Sequence, residues 1–402
     1  MQKVGLSKKQ VLLMSVTAGV CVANIYYNQP ILKTIAVSLQ ATEQQAGTIS
    51  VLTQAGYGLG LFFLTPLGDK LNRKKLILVL QVLLVLALAC VAFIQTIGGM
   101  YVISLLIGLL SVVAQVILPM AASLVVKDKG KTVGFIFTGI LVGILAARVF
   151  SGYITEWLGW RAVFESSALM VLITTVMMAV GIPDVSPHFK GNYTSLLQST
   201  LQQVKRFALL RRTAVVGALA FGTFCSFWTT LTFHLGGPPF RYNAGTIGLF
   251  GVLAIAGALL APVFGKLADK GNPLRSQVFS VSLIVVAVLL VLLFPWQVSA
   301  FIAATVFLDV GVQATQVTNI ATIYTLDETA HSRINTVYMT MYFIGGAVGT
   351  TAGVWCWEAG GWPLVSWQLL TWSTMALLLV SFAFWRKKQT AVQPTERRQP
   401  SK

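Results

Sequence analysis

Apolar stretches of about 20 residues, long enough for a helix to cross the hydrocarbon core of a bilayer, recur along the whole chain. They fall near residues 10–33, 45–67, 76–96, 100–126, 132–155 and 162–181, and again near 213–235, 244–267, 276–294, 297–325, 335–357 and 364–385. The sequence therefore predicts an all-α membrane protein with twelve transmembrane helices. Composition agrees, because only 10% of the residues are charged, against about 25% in a soluble domain. The first run is longer than a signal-peptide core and lacks a small-residue cleavage site.

The stretches come as six, a polar interval, then six. The interval, 182–212, holds Pro183, Pro187 and Gly191 and a segment, "SLLQSTLQQVKRFALL", that is amphipathic and basic at its end. Such a segment lies along a membrane surface rather than across it. The predicted organisation is a first helical bundle over 1–181, a linker over 182–212, and a second bundle with a basic tail over 213–402.

Lys and Arg number 29 against 12 Asp and Glu. Such an excess suits either nucleic acid or the positive-inside bias of membrane loops, and position decides. With the N-terminus inside, every basic residue falls on that side except Lys33, Arg161, Arg241 and Arg148, the last lying within a span. Charge dispersed over many short loops forms no nucleic-acid patch. Both termini are thus expected in the cytoplasm, as in a multi-pass protein of a bacterial inner membrane.

Cys21, Cys90, Cys225 and Cys356 lie in apolar runs without metal-type spacing and read as small buried hydrophobes. The chain has no phosphate-binding Gly-rich loop followed by Lys, no His-Glu-x-x-His, and only three histidines. No catalytic residue, metal site or cofactor is expected.

The two halves echo each other. "AGTI" opens the second run at 46–49 and the eighth at 244–247, and "LGDKLN" at 67–72 is matched by "LADKGN" at 267–272. "GW" closes the fifth run at Gly159–Trp160 and the eleventh at Gly361–Trp362. Signals at matching positions suggest parallel repeats about an axis normal to the membrane.

These features resemble the major facilitator superfamily. Its loop after the second span reads roughly Gly-x-x-x-Asp-Arg/Lys-x-Gly-Arg-Arg/Lys, and Asp69, Lys70, Arg73 and Lys74 stand in those places. Thr65 and Asn72 replace the two glycines; Asn tolerates a left-handed backbone, which would preserve the turn. The second copy keeps Gly265, Asp269 and Lys270. "GILVGILAARVFSG" resembles the Gly-rich fifth helix typical of antiporter branches, with Ile144 where proline is usual, and the fourth-span arginine of proton-linked members would fall near Ser104. "ANIYYNQPIL" and "LDVGVQATQVTN" resemble a bacterial drug- or sugar-efflux-like subgroup. The resemblance implies two pseudo-symmetric six-helix bundles, a central cavity lined by helices one, four, seven and ten, and no cofactor. It also implies a gating role for Asp69, Arg73 and Asp269.

Asp309, at the middle of the tenth run, is the leading candidate for chemistry. A charge at the bilayer centre costs at least about 2.5–3.5 kcal/mol, so it normally faces a polar cavity and has a partner. Either it takes up protons or substrate, or it locks helices together. Arg148 lies beside a face of small residues, Gly139, Gly143, Ala147 and Ser151, suited to close helix packing. It binds an anionic group, counters Asp309, or clamps the seam between halves. The first run carries Asn24, Tyr26, Tyr27, Asn28 and Gln29 before Pro30 in its outer half, and of these Asn24, Tyr27 and Asn28, with Gln313, Gln316 and Asn319 from the tenth, are further cavity candidates. The resemblance adds Gln115, Trp228, Thr229 and His234 as candidates, with the alternative that the aromatics are packing or interface anchors and that His234 lies at the outer surface.

The expected function is secondary transport of a small solute by alternating access, with proton-coupled export preferred. The expected partners are protons, a small-molecule substrate and lipid, with the chain acting as a monomer. An uncoupled carrier, proton-symport uptake and a lipid-modifying membrane enzyme are the alternatives. An enzyme would need clustered acid, base or metal residues, whereas Asp309 and Arg148 stand isolated in the sequence.

Overall fold

The structure, a computed structural model, describes residues 6–125, 129–184, 191–254, 273–327 and 330–392. Among them every regular element is a helix.

The first span is not the unbroken helix its apolar run suggests. Helix α1 (Lys8–Ala23) opens on a capping box in which Ser7 and Gln10 satisfy each other's backbone N–H groups. It ends at Ala23, and turns lead into a 3₁₀ segment, Gln29–Ile31, before α2 (Leu32–Ser38). Pro30 has no N–H to carry an α-helical ladder through this stretch. A second capping box, Thr42 with Gln45, starts α3 (Glu43–Phe63), which returns across the bundle to α4 (Leu67–Lys70).

Helix α5 (Arg73–Cys90) corrects the reading of Asn72. That residue is extended, φ −61° and ψ 115°, not left-handed. Its side-chain oxygen accepts from the Lys75 N–H, so it serves as an N-cap where a turn glycine was expected. The fourth span is likewise split, into α6 (Ile97–Leu110) and α7 (Val113–Leu124), with Pro119 inside the second piece. Helices α8 (Lys129–Leu158) and α9 (Trp160–Gly181) complete the first bundle.

The linker carries helix α10 (Tyr193–Arg206), buried at Leu196, Thr200 and Gln203. The second bundle holds α11 (Ala208–Gly236), α12 (Ala244–Leu253), α13 (Pro273–Leu293), α14 (Val298–Tyr324) and α15 (His331–Val392). The last contains two spans, broken at Gly360 and Gly361. The repeated Gly-Trp pair marks the same device twice. Gly159 has φ +86° and Gly361 φ +61°, a region glycine enters without steric cost, and each turns the chain into the next span.

Nine helical stretches among the described residues are long and apolar enough to cross a membrane. Helix α1, the described part of the eighth span and the second span within α15, which counts once among the nine, bring the architecture to two six-helix bundles. They meet along two symmetry-related seams, α3 with α15 and α8 with α12. Helix α8 also packs tightly on α1, where Gly139 faces Ser15 and Gly143 faces Gly19. Cys90 is exposed on the bundle surface, unlike the buried Cys21 and Cys225, so the four cysteines are not all buried.

The end bearing the Lys- and Arg-rich loops is here called the basic end, and the opposite one the far end. At the far end four contacts join the bundles. The Glu156 carboxylate accepts from Asn243 Nδ2 (3.0 Å) and from the Gly245 N–H at the start of α12. Lys33 donates to the Gly236 carbonyl, Thr232 Oγ1 to the Gln29 carbonyl at 2.8 Å, and Trp357 Nε1 to Glu43 at 2.7 Å.

Candidate transport site

Asp309 lies in the interior of α14, 2% exposed. It borders a cavity between the bundles. The first bundle lines it with Tyr26, Tyr57 and Gln115, and the second with Phe221, Phe224, Gln313, Gln316 and Tyr342. The spacing of Asp309, Gln313 and Gln316 puts them on one face of α14, and that face meets the cavity. Gln115 donates to the Tyr57 hydroxyl at 3.3 Å, and Gln316 lies 3.8 Å from the Met339 sulfur.

Arg148 is fully buried beside this cavity. Its Nε donates to Gln29 Oε1 at 2.9 Å. The guanidinium carbon stands 3.9 Å from the centre of the Trp228 ring, with Tyr26 at 5.2 Å and Phe224 at 5.4 Å. Three aromatic faces thus surround the cation, an arrangement strengthened by the absence of water. Arg148 and Asp309 act on each other electrostatically, yet among the described residues no ion pair joins them. Arg148 Nη1 and Nη2 and Asp309 Oδ2 are buried without hydrogen-bond partners. A buried, unsatisfied polar group costs about 1–3 kcal/mol, more when charged. An arrangement that carries three such atoms beside a cavity is suited to meeting something that enters it.

The structure separates the remaining candidates. Asn24 accepts from Ser167 at 2.8 Å and donates back to the Val20 and Cys21 carbonyls. Asn28 bridges Ser50 and Thr53. Tyr27 packs on Phe150 and lines an apolar groove on the far side of α1 from the cavity. Asn319 joins Gln277, Tyr338 and the Thr213 carbonyl. These four are held by neighbouring helices and do not line the cavity. Because the first span unwinds after Ala23, helical spacing cannot say which of its polar residues turns inward. Of the five polar residues before Pro30, Tyr26 lines the cavity and Gln29 bonds to Arg148 beside it, whereas the favoured candidates Asn24, Tyr27 and Asn28 do neither.

Trp228 covers Arg148, and Thr229 is buried next to it in sequence with an unpartnered hydroxyl. His234 is at the far end but buried, not on the surface. Its ring stacks on Trp362 at 4.5 Å, and Nε2 lies 2.8 Å from the Pro295 carbonyl.

At the basic end a second cavity shares Gln115 and Met339 with the first. Asp69 and Arg73 stand on one side, and Ser332, Asn335 and Thr336, in the first turns of α15, on the other. Asp69 pairs with Arg73 at 2.9 Å. Arg73 also donates to the carbonyls of Gly68 and Pro119 and to Ser123 Oγ. Asp269 lies outside the described residues.

Membrane-crossing bundles that enclose a polar and aromatic cavity between two similar halves define a membrane transporter. The Major Facilitator Superfamily profile matches residues 14–350. The chain belongs to the major facilitator superfamily. It is 38% identical over 382 residues to the uncharacterized transporter YgaY of Escherichia coli O157:H7, covering 95% of this chain and 96% of that one. The inner membrane transport protein YnfM of Escherichia coli K12 is 24% identical over 254 residues, 62% of this chain and 60% of its own. The multidrug resistance protein MdtG of Proteus mirabilis is 25% identical over 227 residues, 55% and 56% of the two chains. Among solved structures, the nucleoside transporter NupG superposes with a TM-score of 0.74 at 12% identity, covering 94% of this chain and 99% of that one. The POT family transporter PepTSo gives 0.69 at 14%, covering 96% and 99%. At such identities the structural likeness speaks for the fold.

Proposed function

We propose that this protein exports a small molecule by alternating access in exchange for protons, acting as a monomer in a bacterial inner membrane with both termini cytoplasmic. The observation that carries this reading is the placement of Asp309: buried mid-helix, bordering the central cavity, with one carboxylate oxygen unpartnered. A carboxylate in such a place can hold a proton or a substrate, and competition between them couples the two flows.

The far-end contacts between bundles, with the cavity bordered by Asp69 and Ser332 at the basic end, fit a state open to the cytoplasm, from which an exporter loads. Asp69 then serves as half of a gate. When the halves rock, its carboxylate meets the start of α15, where the helix dipole favours negative charge. The similarity to MdtG, a multidrug resistance protein, favours export.

Flux into everted vesicles, with and without an imposed pH gradient, tests the proposal. The wild-type protein is expected to accumulate substrate only with the gradient, and Asp309→Asn to lose accumulation while still equilibrating substrate. Accumulation by well-folded Asp309→Asn equal to wild type would remove Asp309 from the coupling. Gradient-independent equilibration by the wild type would indicate an uncoupled carrier.

A further inference from the structure

Gln29 touches both the buried cation and the far-end closure. Its side-chain Oε1 accepts from Arg148 Nε at 2.9 Å. Its backbone carbonyl, one residue before Pro30, accepts from Thr232 Oγ1 of the other bundle at 2.8 Å. It is 1% exposed, and its Nε2 has no partner. Four residues on, Lys33 donates to the Gly236 carbonyl, one helical turn beyond Thr232 on α11. Gln29 sits where the first span has left the α-helix, in a 3₁₀ turn, so its backbone can shift without displacing a continuous ladder.

We propose that Gln29 is a positioning residue that relays the charge state of the Arg148–Asp309 site to the far-end closure. The inference rests on the reading of Asp309 given above. Neutralising Asp309 removes the negative charge that helps hold the guanidinium in place. A guanidinium drawn elsewhere, toward substrate or toward its aromatic neighbours, pulls on Gln29 Oε1. The backbone of the same residue is one of the four attachments between the bundles, so that pull changes the stability of the closed far end. The other groups around the site, Tyr26, Tyr57, Tyr342 and Cys225, are phenols and a thiol, which are uncharged near neutral pH. The charge change therefore belongs to Asp309. Arg148 also meets the second bundle through the Trp228 ring, one helical turn before Thr232; Gln29 is the hydrogen-bonded link between the guanidinium and the closure.

The test is a mutant cycle read by distance measurement between spin labels at Val37→Cys and Ser299→Cys, both at the far end, with Cys90 and Cys356 replaced by serine. Asp309→Asn mimics the protonated acid. With Gln29 present, Asp309→Asn is expected to change the ratio of far-end-open to far-end-closed populations by about 5-fold or more, the lower range of allosteric couplings. In Gln29→Leu the same change is expected to move the ratio less than about 2-fold, a coupling difference that a residue of purely structural importance would not produce. Thr232→Val, which removes only the hydroxyl, should weaken the response in the same direction and serves if Gln29→Leu fails to fold. An undiminished response in Gln29→Leu, or in Thr232→Val, overturns the relay and leaves the role of Asp309 standing. No response to Asp309→Asn with Gln29 present overturns both.

Discussion

Arg148 rests on Trp228 across the boundary between the bundles, its guanidinium carbon 3.9 Å from the ring centre. The cation comes from the first bundle and the ring from the second, so the contact is part of the seam about which the halves must move. Removing the charge takes away the buried cation whose field acts on Asp309, though no ion pair joins the two, and leaving a buried charged group uncompensated costs more than about 1–3 kcal/mol. Arg148→Met is expected to lower thermal stability in detergent by that order. Asp309→Asn added to it should recover much of the loss, because the uncompensated charge is gone. Arg148→Lys should recover little, since an ammonium cannot lie flat on Trp228 while bonding Gln29. A double variant no more stable than Arg148→Met would show that the two charges are not coupled.

Asp69 and Arg73 share an ion pair but not a role. Arg73 is largely buried and ties the loop to the end of α7 through the Pro119 carbonyl and Ser123. Hydrogen bonds from a charged group are worth about 1.5–3 kcal/mol each. Arg73→Ala is therefore expected to cost about 2 kcal/mol or more of stability. Asp69 is more exposed, and its pair contributes at most about 1 kcal/mol. Asp69→Ala should leave the melting temperature nearly unchanged and the substrate affinity intact while lowering turnover several-fold. Flux and ligand-binding measurements on the same preparation separate these outcomes. Unchanged turnover in Asp69→Ala counts against a gate.

Why the fold was legible in the sequence, and much of the site was not, follows from what each depends on. Twelve apolar runs, one-sided basic loops and a repeated Gly-Trp turn each act locally, through solvation or backbone geometry, so they can be read residue by residue. Asp309, Gln313 and Gln316 were equally legible, because α14 is continuous and its 3.6-residue period orders them on one face. The first span resisted for the opposite reason. After Ala23 the backbone turns through a non-helical stretch, and Tyr26 and Gln29 face inward where helical spacing favoured no particular residue. Asn72 was read as a substitute for a left-handed glycine, yet its short acceptor side chain suits the start of α5, which a loop motif alone does not reveal. The aromatic walls from Phe221, Phe224 and Tyr342 carried no signal, since rings in membrane spans are ordinarily packing residues.

The positive φ angles of Gly159 and Gly361 make a further expectation. At ψ 162° and −154° these positive φ angles lie in a region essentially open only to glycine, where a Cβ costs about 1–3 kcal/mol. Gly159→Ala and Gly361→Ala should each lower stability by about that amount without altering the charge or polarity of the site. Because the two positions correspond by the repeat, their costs should be alike. Thermal unfolding of the two variants, with an alanine substitution at exposed Gly130 for reference, checks this. A cost confined to one position would show that the repeated turns are not energetically equivalent.

Closure of the far end can be tested at the Glu43–Trp357 contact, which joins the start of α3 to α15 through a 2.7 Å hydrogen bond. A hydrogen bond to an ionised acceptor contributes about 1.5–3 kcal/mol, and about 1.4 kcal/mol is a tenfold shift in an equilibrium. Trp357→Phe keeps an aromatic ring but removes the donor. It should therefore favour far-end-open molecules roughly tenfold. Glu43→Gln keeps an acceptor oxygen and should act in the same direction with smaller effect. Partly buried Cys356 is the neighbouring residue and reports the change. Its labelling by a membrane-impermeant maleimide, in a Cys90→Ser background, is expected to quicken in Trp357→Phe. Trp355 is 64% exposed on the outer surface of the same helix, and Trp355→Phe should leave the rate alone. Equal labelling in the two tryptophan variants would mean that the hydrogen bond does not hold this end shut, leaving Glu156, Lys33 and Thr232 to do so.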